Sequence, residues 1–295
     1  MVQNDRMFQL FANAIMFLLM IFCLFPFLLL VVSSFTEEGT LIRNGYSLFP
    51  DKLSLESYTY MFQRLSTIAR AYSITIIVTV VGTVTSLLLT VLLSYPLSRR
   101  DLPHRGKFAF FVFFTMLFNG GLVPTYIMYT RYLNLDNTIW ALIVPALLVN
   151  AFYVIMMRTY FATNIPEEVI EAGRVDGAGE YRILFGIVMP MSLPMVATLS
   201  LLIGLNYWND WRNGLYYLTD PSLFSIQNML NTMLQDVRFL ASGGAGSNAS
   251  EIAANMPSVG IKMAIAVVGA VPIMVIYPFF QKYFVKGITV GAVKG

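Results

Sequence analysis

Six stretches of apolar residues recur along the chain, at about 11–33, 71–97, 108–130, 138–157, 184–206 and 259–280. Each has the roughly 20 residues that a helix needs to cross a bilayer. Polar and charged residues gather between them. In hydrocarbon the backbone must satisfy its own hydrogen bonds, so these runs are predicted as helices and open strands are ruled out. The expected fold is all-α, a polytopic membrane protein with six transmembrane helices. The first run, Phe11 to Val32, is long for a secretion signal, and Ser33-Ser34-Phe35 makes a poor cleavage site, so it is kept as a span.

Polar residues inside the runs break the pattern in informative ways. Thr75, Thr79, Thr83, Ser86, Thr90 and Ser94 follow at spacings of four, four, three, four and four, a single stripe along the second span beside Gly82. Small and hydroxyl residues let membrane helices approach and bond across a seam; the same stripe could form the wet wall of a pathway. In the third span, Asn119-Gly120-Gly121-Leu122-Val123-Pro124 predicts a loosened or broken helix. Asn119 then needs a partner at depth. The fourth span holds Pro145 and Asn150, and Asp136 or Asn137 is placed to cap it. Pro190 and Pro194 predict a kink in the fifth. That span ends in Asn206-Tyr207-Trp208-Asn209-Asp210-Trp211, where aromatic rings beside amides suit either a membrane interface or the face of a sugar ring.

Between the runs, Pro50 marks a turn and Ser54 the start of a short helix. The most acid-rich polar stretch begins at Pro166. Glu167, Glu168, Glu171, Asp176 and Glu180 fall within fourteen residues, mixed with Ala172, Gly173, Gly177, Ala178 and Gly179. Proline and acids suit a helix start, Asn164 is placed to cap it with Glu167 three residues on, and Gly177 offers a left-handed stop. A helix over about 166–176 follows, with little side-chain bulk to hold another surface away. After the fifth span, residues 207–258 read as a long loop whose Ser242–Ser250 segment, with Gly243, Gly244 and Gly246, is flexible and uncharged.

Composition narrows the chemistry. Only 12% of residues are charged against 57% hydrophobic. A net charge of +3, spread along the chain, gives no reason to expect nucleic acid. One cysteine and one histidine, His104 in a basic loop, leave no disulfide and no Cys/His metal set. The chain carries no phosphate loop and no nucleophile elbow. Neither catalytic residues nor a metal site are expected. Lysines and arginines divide eleven to eight, with Arg99, Arg100, Arg105, Lys107, Arg158, Arg174, Arg182 and the terminal lysines on the denser side. That side is predicted to be cytoplasmic, with both termini inside.

The order Glu171-Ala172-Gly173, Gly177, Ile187 and Pro190 resembles the EAA loop of binding-protein-dependent ABC transporter permeases, with Gly173 where that family usually has alanine. The run GGLVPTYIMYTRYLNLDNTIWALIVPALL resembles a branch of carbohydrate permeases serving fragments of complex polysaccharides. The terminus from Pro278 to Gly295 resembles that of the maltose-type second permease.

The resemblance implies a type I ABC importer permease fold, a single transmembrane permease domain over 1–295 in a bacterial inner membrane. It implies a cytoplasmic coupling loop at 159–183, an external loop at 207–258 and a cytoplasmic tail at 281–295. Glu168, Glu171, Ala172, Gly173, Asp176, Gly177 and Ala178 would dock on an ATPase. Lys286, Gly287, Gly291 and Lys294 would enter the interface between two ATPase subunits. Gly243, Gly244 and Gly246 would touch an extracytoplasmic solute-binding protein. Asn119, Asn150, Asn206, Tyr207, Trp208 and Asn209 would line the substrate pathway.

The implied partners are a second, homologous permease, two ATP-binding subunits, the binding protein and membrane lipid. ATP and magnesium would sit on those ATPases, with no cofactor in this chain. The implied cargo is an oligosaccharide, with pectin- or alginate-derived uronates as candidates. A permease for a non-sugar solute is the alternative. An ion-coupled carrier needs ionisable groups inside its spans, and here Lys262, near a span end, is the main one.

Overall fold

The computed structural model describes residues 6–63, 65–241 and 259–292. In chain order the α-helices are α1 (Arg6–Ser34), α2 (Glu38–Asn44), α3 (Glu56–Gln63), α4 (Leu65–Ser98), α5 (Arg105–Leu117), α6 (Leu122–Ile127), α7 (Trp140–Ile143), α8 (Ala151–Asn164), α9 (Glu167–Val175), α10 (Glu180–Ile183), α11 (Met189–Met191), α12 (Leu193–Trp208), α13 (Arg212–Tyr217), α14 (Ile226–Ala241) and α15 (Val259–Ala292). Wider π-helical turns follow α6 (Met128–Tyr132) and α10 (Leu184–Val188). The chain divides into two compact units, one of the residues up to Ile68 with Leu230–Pro272, the other of Ala69–Met229 with the residues from Ile273 on.

Among the described residues, α1, α4 and Val259–Phe279 of α15 are each long and apolar enough to cross a membrane alone. Two further spans arise if bent pairs are counted as one: Arg105–Leu117 with Leu122–Tyr132, bent by 110°, and Glu180–Met191 with Leu193–Trp208, bent by 86°. The first bend is the Asn119-Gly120-Gly121 break. Gly121 takes φ +87°, a left-handed conformation open to glycine, and Asn119 Oδ1 accepts its N–H at 2.9 Å. The second bend falls on Ser192, between Pro190 and Pro194. The fourth run, expected as one helix over 138–157, is instead α7 and α8 with residues 144–150 unwound between them. Ala146 there takes φ +62°.

In the first unit, α1 buries only Ser33 and Ser34, so its apolar side chains await lipid or another polypeptide. Ser34 Oγ lies 2.8 Å from the Tyr58 hydroxyl of α3, and Phe35 stacks on the same ring at 4.7 Å. Ser54 Oγ accepts the Glu56 N–H at 3.1 Å, where the sequence places the start of α3. Glu38 of α2 caps another helix: its two carboxylate oxygens accept the N–H groups of Val259 and Gly260 at 2.9 and 3.0 Å. A negative group suits that helix end.

The second unit is built on α4. Ser94 Oγ donates to Val154 O at 2.9 Å, and Ser86 Oγ to Leu147 O at 3.4 Å. Four of the six stripe residues thus form a buried seam, with Thr75, Ser86, Thr90 and Ser94 at most 1% exposed. The unwound stretch survives because its carbonyls find side chains. Tyr207 OH donates to Ile143 O at 3.0 Å, Asn213 Nδ2 to Pro145 O at 3.0 Å, and Ser86 serves Leu147. Tyr207 reaches there across Gly82, where a Cβ would stand 2.6 Å from its ring.

Within the 207–258 segment, where a loop is expected, α13 and α14 form two helices up to Ala241. Asn228 Nδ2 donates to Trp211 O at 2.8 Å, filling the space a side chain at Gly214 would need. Ile226 N–H is held by Thr75 Oγ1 at 2.9 Å. Gly243, Gly244 and Gly246 lie outside the described residues, as does Lys294. Lys286, Gly287 and Gly291 continue α15 as helix to Ala292.

Two substitutions test this packing by thermal unfolding of the purified protein in detergent. Tyr207→Phe leaves the Ile143 carbonyl unpaired and is expected to destabilise by about 1–3 kcal/mol. Gly82→Val crowds the ring, at about 1–3 kcal/mol. Unfolding midpoints equal to the parent's would contradict the assignment.

Candidate functional site

The acid-rich stretch folds as α9, within a residue of the expected bounds. Pro166 stands at its N-cap without a side-chain bond. The cap expected from Asn164 is not made. Asn164 instead closes α8, its amide donating to Tyr160 O at 3.2 Å and Thr163 Oγ1 at 2.9 Å. The C-terminus follows expectation. Gly177 takes φ +75°, its N–H returns to Arg174 O, and Ala178 N–H returns to Gly173 O.

α9 has one inward face and one outward face. Ile170 and Gly173 are buried. A Cβ on Gly173 would come within 3.1 Å of Ile187 and 3.3 Å of Ile183, so the small residue sets how closely α9 lies on the start of the fifth span. Glu168, Glu171, Ala172 and Val175, at i, i+3, i+4 and i+7, share the other face and are exposed. Val175 is 87% exposed, an apolar tip beside two acids. Asp176 and Gly177 are exposed as well, and Ala178 is half-buried.

A cluster of charges holds this helix in place. Arg174 Nη1 lies 2.8 Å from Asp101 Oδ2, and its Nη2 and Nε lie 2.6 and 2.9 Å from Glu180 Oε1. Tyr95 OH donates to Glu180 Oε2 at 2.7 Å. Arg99, buried, faces Asp101 Oδ1 from 3.3 Å. The hydrogen bond from Arg174 holds the Asp101 carboxyl below the usual carboxylate range, and Arg174 is raised in turn by Asp101 and Glu180. The pairs are 40–52% exposed, so each adds at most about 1 kcal/mol of stability. Asp101 is absent from the sequence-based candidates. Its signal is a lone acid among Arg99, Arg100, Arg105 and Lys107.

The pathway candidates are placed differently from one another. Asn119 is exposed at the third-span break. Asn150 is an N-cap, its Oδ1 accepting Phe152 N–H at 2.9 Å. Asn206 is exposed and donates to Tyr153 OH at 2.7 Å, one turn into the helix that Asn150 caps. Asn209 is exposed. Tyr207 and Trp208 are turned into the protein at 3% and 6% exposure, because the Ile143 carbonyl and the Gly82 notch draw the tyrosine inward. Asn137 caps no helix. Its Oδ1 accepts the N–H groups of Thr219 at 2.7 Å and Asp220 at 3.0 Å, binding two turns together.

Asp210, just past α12, keeps Oδ1 within 3.2 Å of the Arg212 N–H, while its Oδ2 is buried without a partner. Burial pushes this carboxyl up to about 6, outweighing the lowering effect of the Asn213 and Arg212 backbone N–H groups.

Comparison with known proteins bears on the whole chain. A family model described as "Binding-protein-dependent transport system inner membrane component" matches residues 74–290. The polygalacturonan/rhamnogalacturonan transport system permease protein YtcP of Bacillus subtilis is 36% identical over 294 residues, 99% of this chain and 100% of that protein. The arabinooligosaccharides transport system permease protein AraQ of Halalkalibacterium halodurans is 32% identical over 275 residues, 92% and 91% of the two chains. A chain from the crystal structure of a bacterial ABC transporter involved in the import of the acidic polysaccharide alginate superposes with a TM-score of 0.80 at 27% identity, covering 96% of this chain and 99% of that one.

Asp210 yields a pH prediction. Its folded pKa of about 6 lies above the ordinary 3.8, so between those values the folded protein holds a proton the unfolded chain has lost. Stability therefore falls as pH rises through that window. Asp210→Asn is expected to remove the slope and to gain about 1–3 kcal/mol at pH 7, read from unfolding midpoints across pH. A slope retained in the variant would assign it elsewhere.

Proposed function

This chain belongs to the binding-protein-dependent transport system inner membrane components, and from that premise we propose that it forms half of the membrane pore of an ATP-driven importer of acidic oligosaccharides. It is a membrane permease for sugar import rather than an enzyme. The observation that carries the substrate class is the 36% identity to a polygalacturonan/rhamnogalacturonan permease across 99% of the chain. The fold shared with an importer of alginate, another uronate polymer, points the same way.

In this reading a second, homologous permease completes the pore and covers apolar surface that this chain leaves open. Two ATP-binding subunits hold ATP and magnesium and lie on the cytoplasmic side with both termini. A solute-binding protein delivers the sugar from outside. α9 is the coupling helix. Its face of Glu168, Glu171, Ala172 and Val175 is exposed on this chain, and Gly173 fixes it against the fifth span. Asp176, Gly177 and Ala178 shape the turn that follows. Lys286, Gly287, Gly291 and Lys294 are assigned to contact with the ATPases, and Gly243, Gly244 and Gly246 to contact with the binding protein. ATP-driven closure of the motor subunits displaces α9, and the bent spans rock as bodies between inward and outward access. Asn119, Asn206 and Asn209, the exposed amides, offer donors and acceptors to sugar hydroxyls.

The test is uptake by vesicles holding the assembled complex, its binding protein and ATP. Oligogalacturonides are expected to be imported and to stimulate ATP hydrolysis, while neutral maltooligosaccharides do neither; the reverse preference would overturn the substrate class. Gly177→Trp places a bulky side chain at φ +75°, a conformation unfavourable by about 1–2 kcal/mol for such residues. It is expected to abolish uptake while the complex still inserts, and full uptake would count against α9 as the coupling helix.

A further inference from the structure

We propose that Arg174 is a positioning residue that ties the coupling helix to the second and fifth spans, so that a push on α9 moves both together; this rests on the permease reading above. Arg174 lies in the last turn of α9, and its guanidinium is shared between two elements. One nitrogen meets Asp101, three residues beyond the end of α4, at 2.8 Å. Two others meet Glu180, the first residue of the helix leading into the fifth span, at 2.6 and 2.9 Å. The ring of contacts closes through Tyr95 of α4, whose hydroxyl donates to the second Glu180 oxygen at 2.7 Å. Arg99 steadies Asp101 from 3.3 Å, and Arg105 Nη1 donates to the Arg99 carbonyl at 3.4 Å, fixing the loop that carries them.

The surrounding packing explains why an ionic link is needed. A cavity of about 530 Å³ lies between the end of the second span and the start of the fifth, lined by Leu92, Pro96, Leu102 and Leu184 as well as the charged cluster. α9 meets the fifth span through the apolar approach at Gly173; across the open space toward the end of the second span, the chain Asp101–Arg174–Glu180–Tyr95 forms the bridge. The planar fork of arginine holds two acceptors in fixed directions, which a lysine ammonium does not. A second tie, Arg100 to Glu167 at 3.7 Å, is longer and reaches only one of the two spans.

The experiment uses the assembled complex in vesicles, with its binding protein and oligogalacturonides as the probe. Assembly, ATP hydrolysis and uptake are measured for the parent, Arg174→Lys and Arg174→Ala. The sugar imported per ATP hydrolysed is expected to fall about tenfold in Arg174→Ala, with assembly and hydrolysis kept. Arg174→Lys, which retains the charge, is expected to lose less. An unchanged ratio in Arg174→Ala would overturn the proposal, as would a parallel loss of assembly, hydrolysis and uptake, which marks a residue needed only for folding. Parent vesicles that import no galacturonide would contradict the substrate class instead. The link is then read from stimulation of hydrolysis by the binding protein, which Arg174→Ala is expected to remove and whose retention would overturn the proposal.

Discussion

A backbone carbonyl in an apolar surrounding must find a donor, and much of the second unit is arranged around that demand. The stretch from Val144 to Asn150 leaves helical geometry in the middle of an apolar run. A carbonyl freed there and left without a donor costs several kcal/mol in lipid. Instead, Ile143, Pro145 and Leu147 receive Tyr207, Asn213 and Ser86 from three different helices. The break therefore fastens α4, α12 and α13 together. Asn150 then restarts the helix by capping it.

The same economy appears at the acid-rich helix, with charge in place of the neutral hydrogen bond. α9 is nine residues long, too short to be stable alone. It is held by Ile170 and the close approach at Gly173 on one side and by the Arg174 cluster at its end. Because the ion pairs are half in solvent, they define position more than they add stability. The arrangement suits the coupling role proposed for α9, in which the helix is pushed without coming loose.

Much of this could be read from the residues in order. The apolar runs, the broken third span, the kink at Ser192 and the bounds of α9 all follow from local chemistry. Glycine at 121 and 177 supplies left-handed backbone, and proline interrupts helices. The hydroxyl stripe admitted both a seam and a wet wall; Ser86 and Ser94 take the seam. The unwinding at Ala146 has no local signal, since alanine is a helix former and its conformation is imposed by the partners of its neighbours. The roles of Tyr207 and Asp101 depend on residues 64 or more positions away. α14 was legible in principle: Ile226, Met229, Leu230 and Met233 fall at helical spacing, but the glycine-rich segment that follows dominates the impression of a loop.

The notch at Gly82 has a consequence for the lineage of this chain. Its hydrogen in place of a methyl group is what admits the Tyr207 ring, and the ring is what quenches the Ile143 oxygen. Neither position is free to drift by itself. A descendant that enlarges the notch residue must shrink the aromatic partner and find another donor for that oxygen, so the two sites are expected to change in concert through evolution.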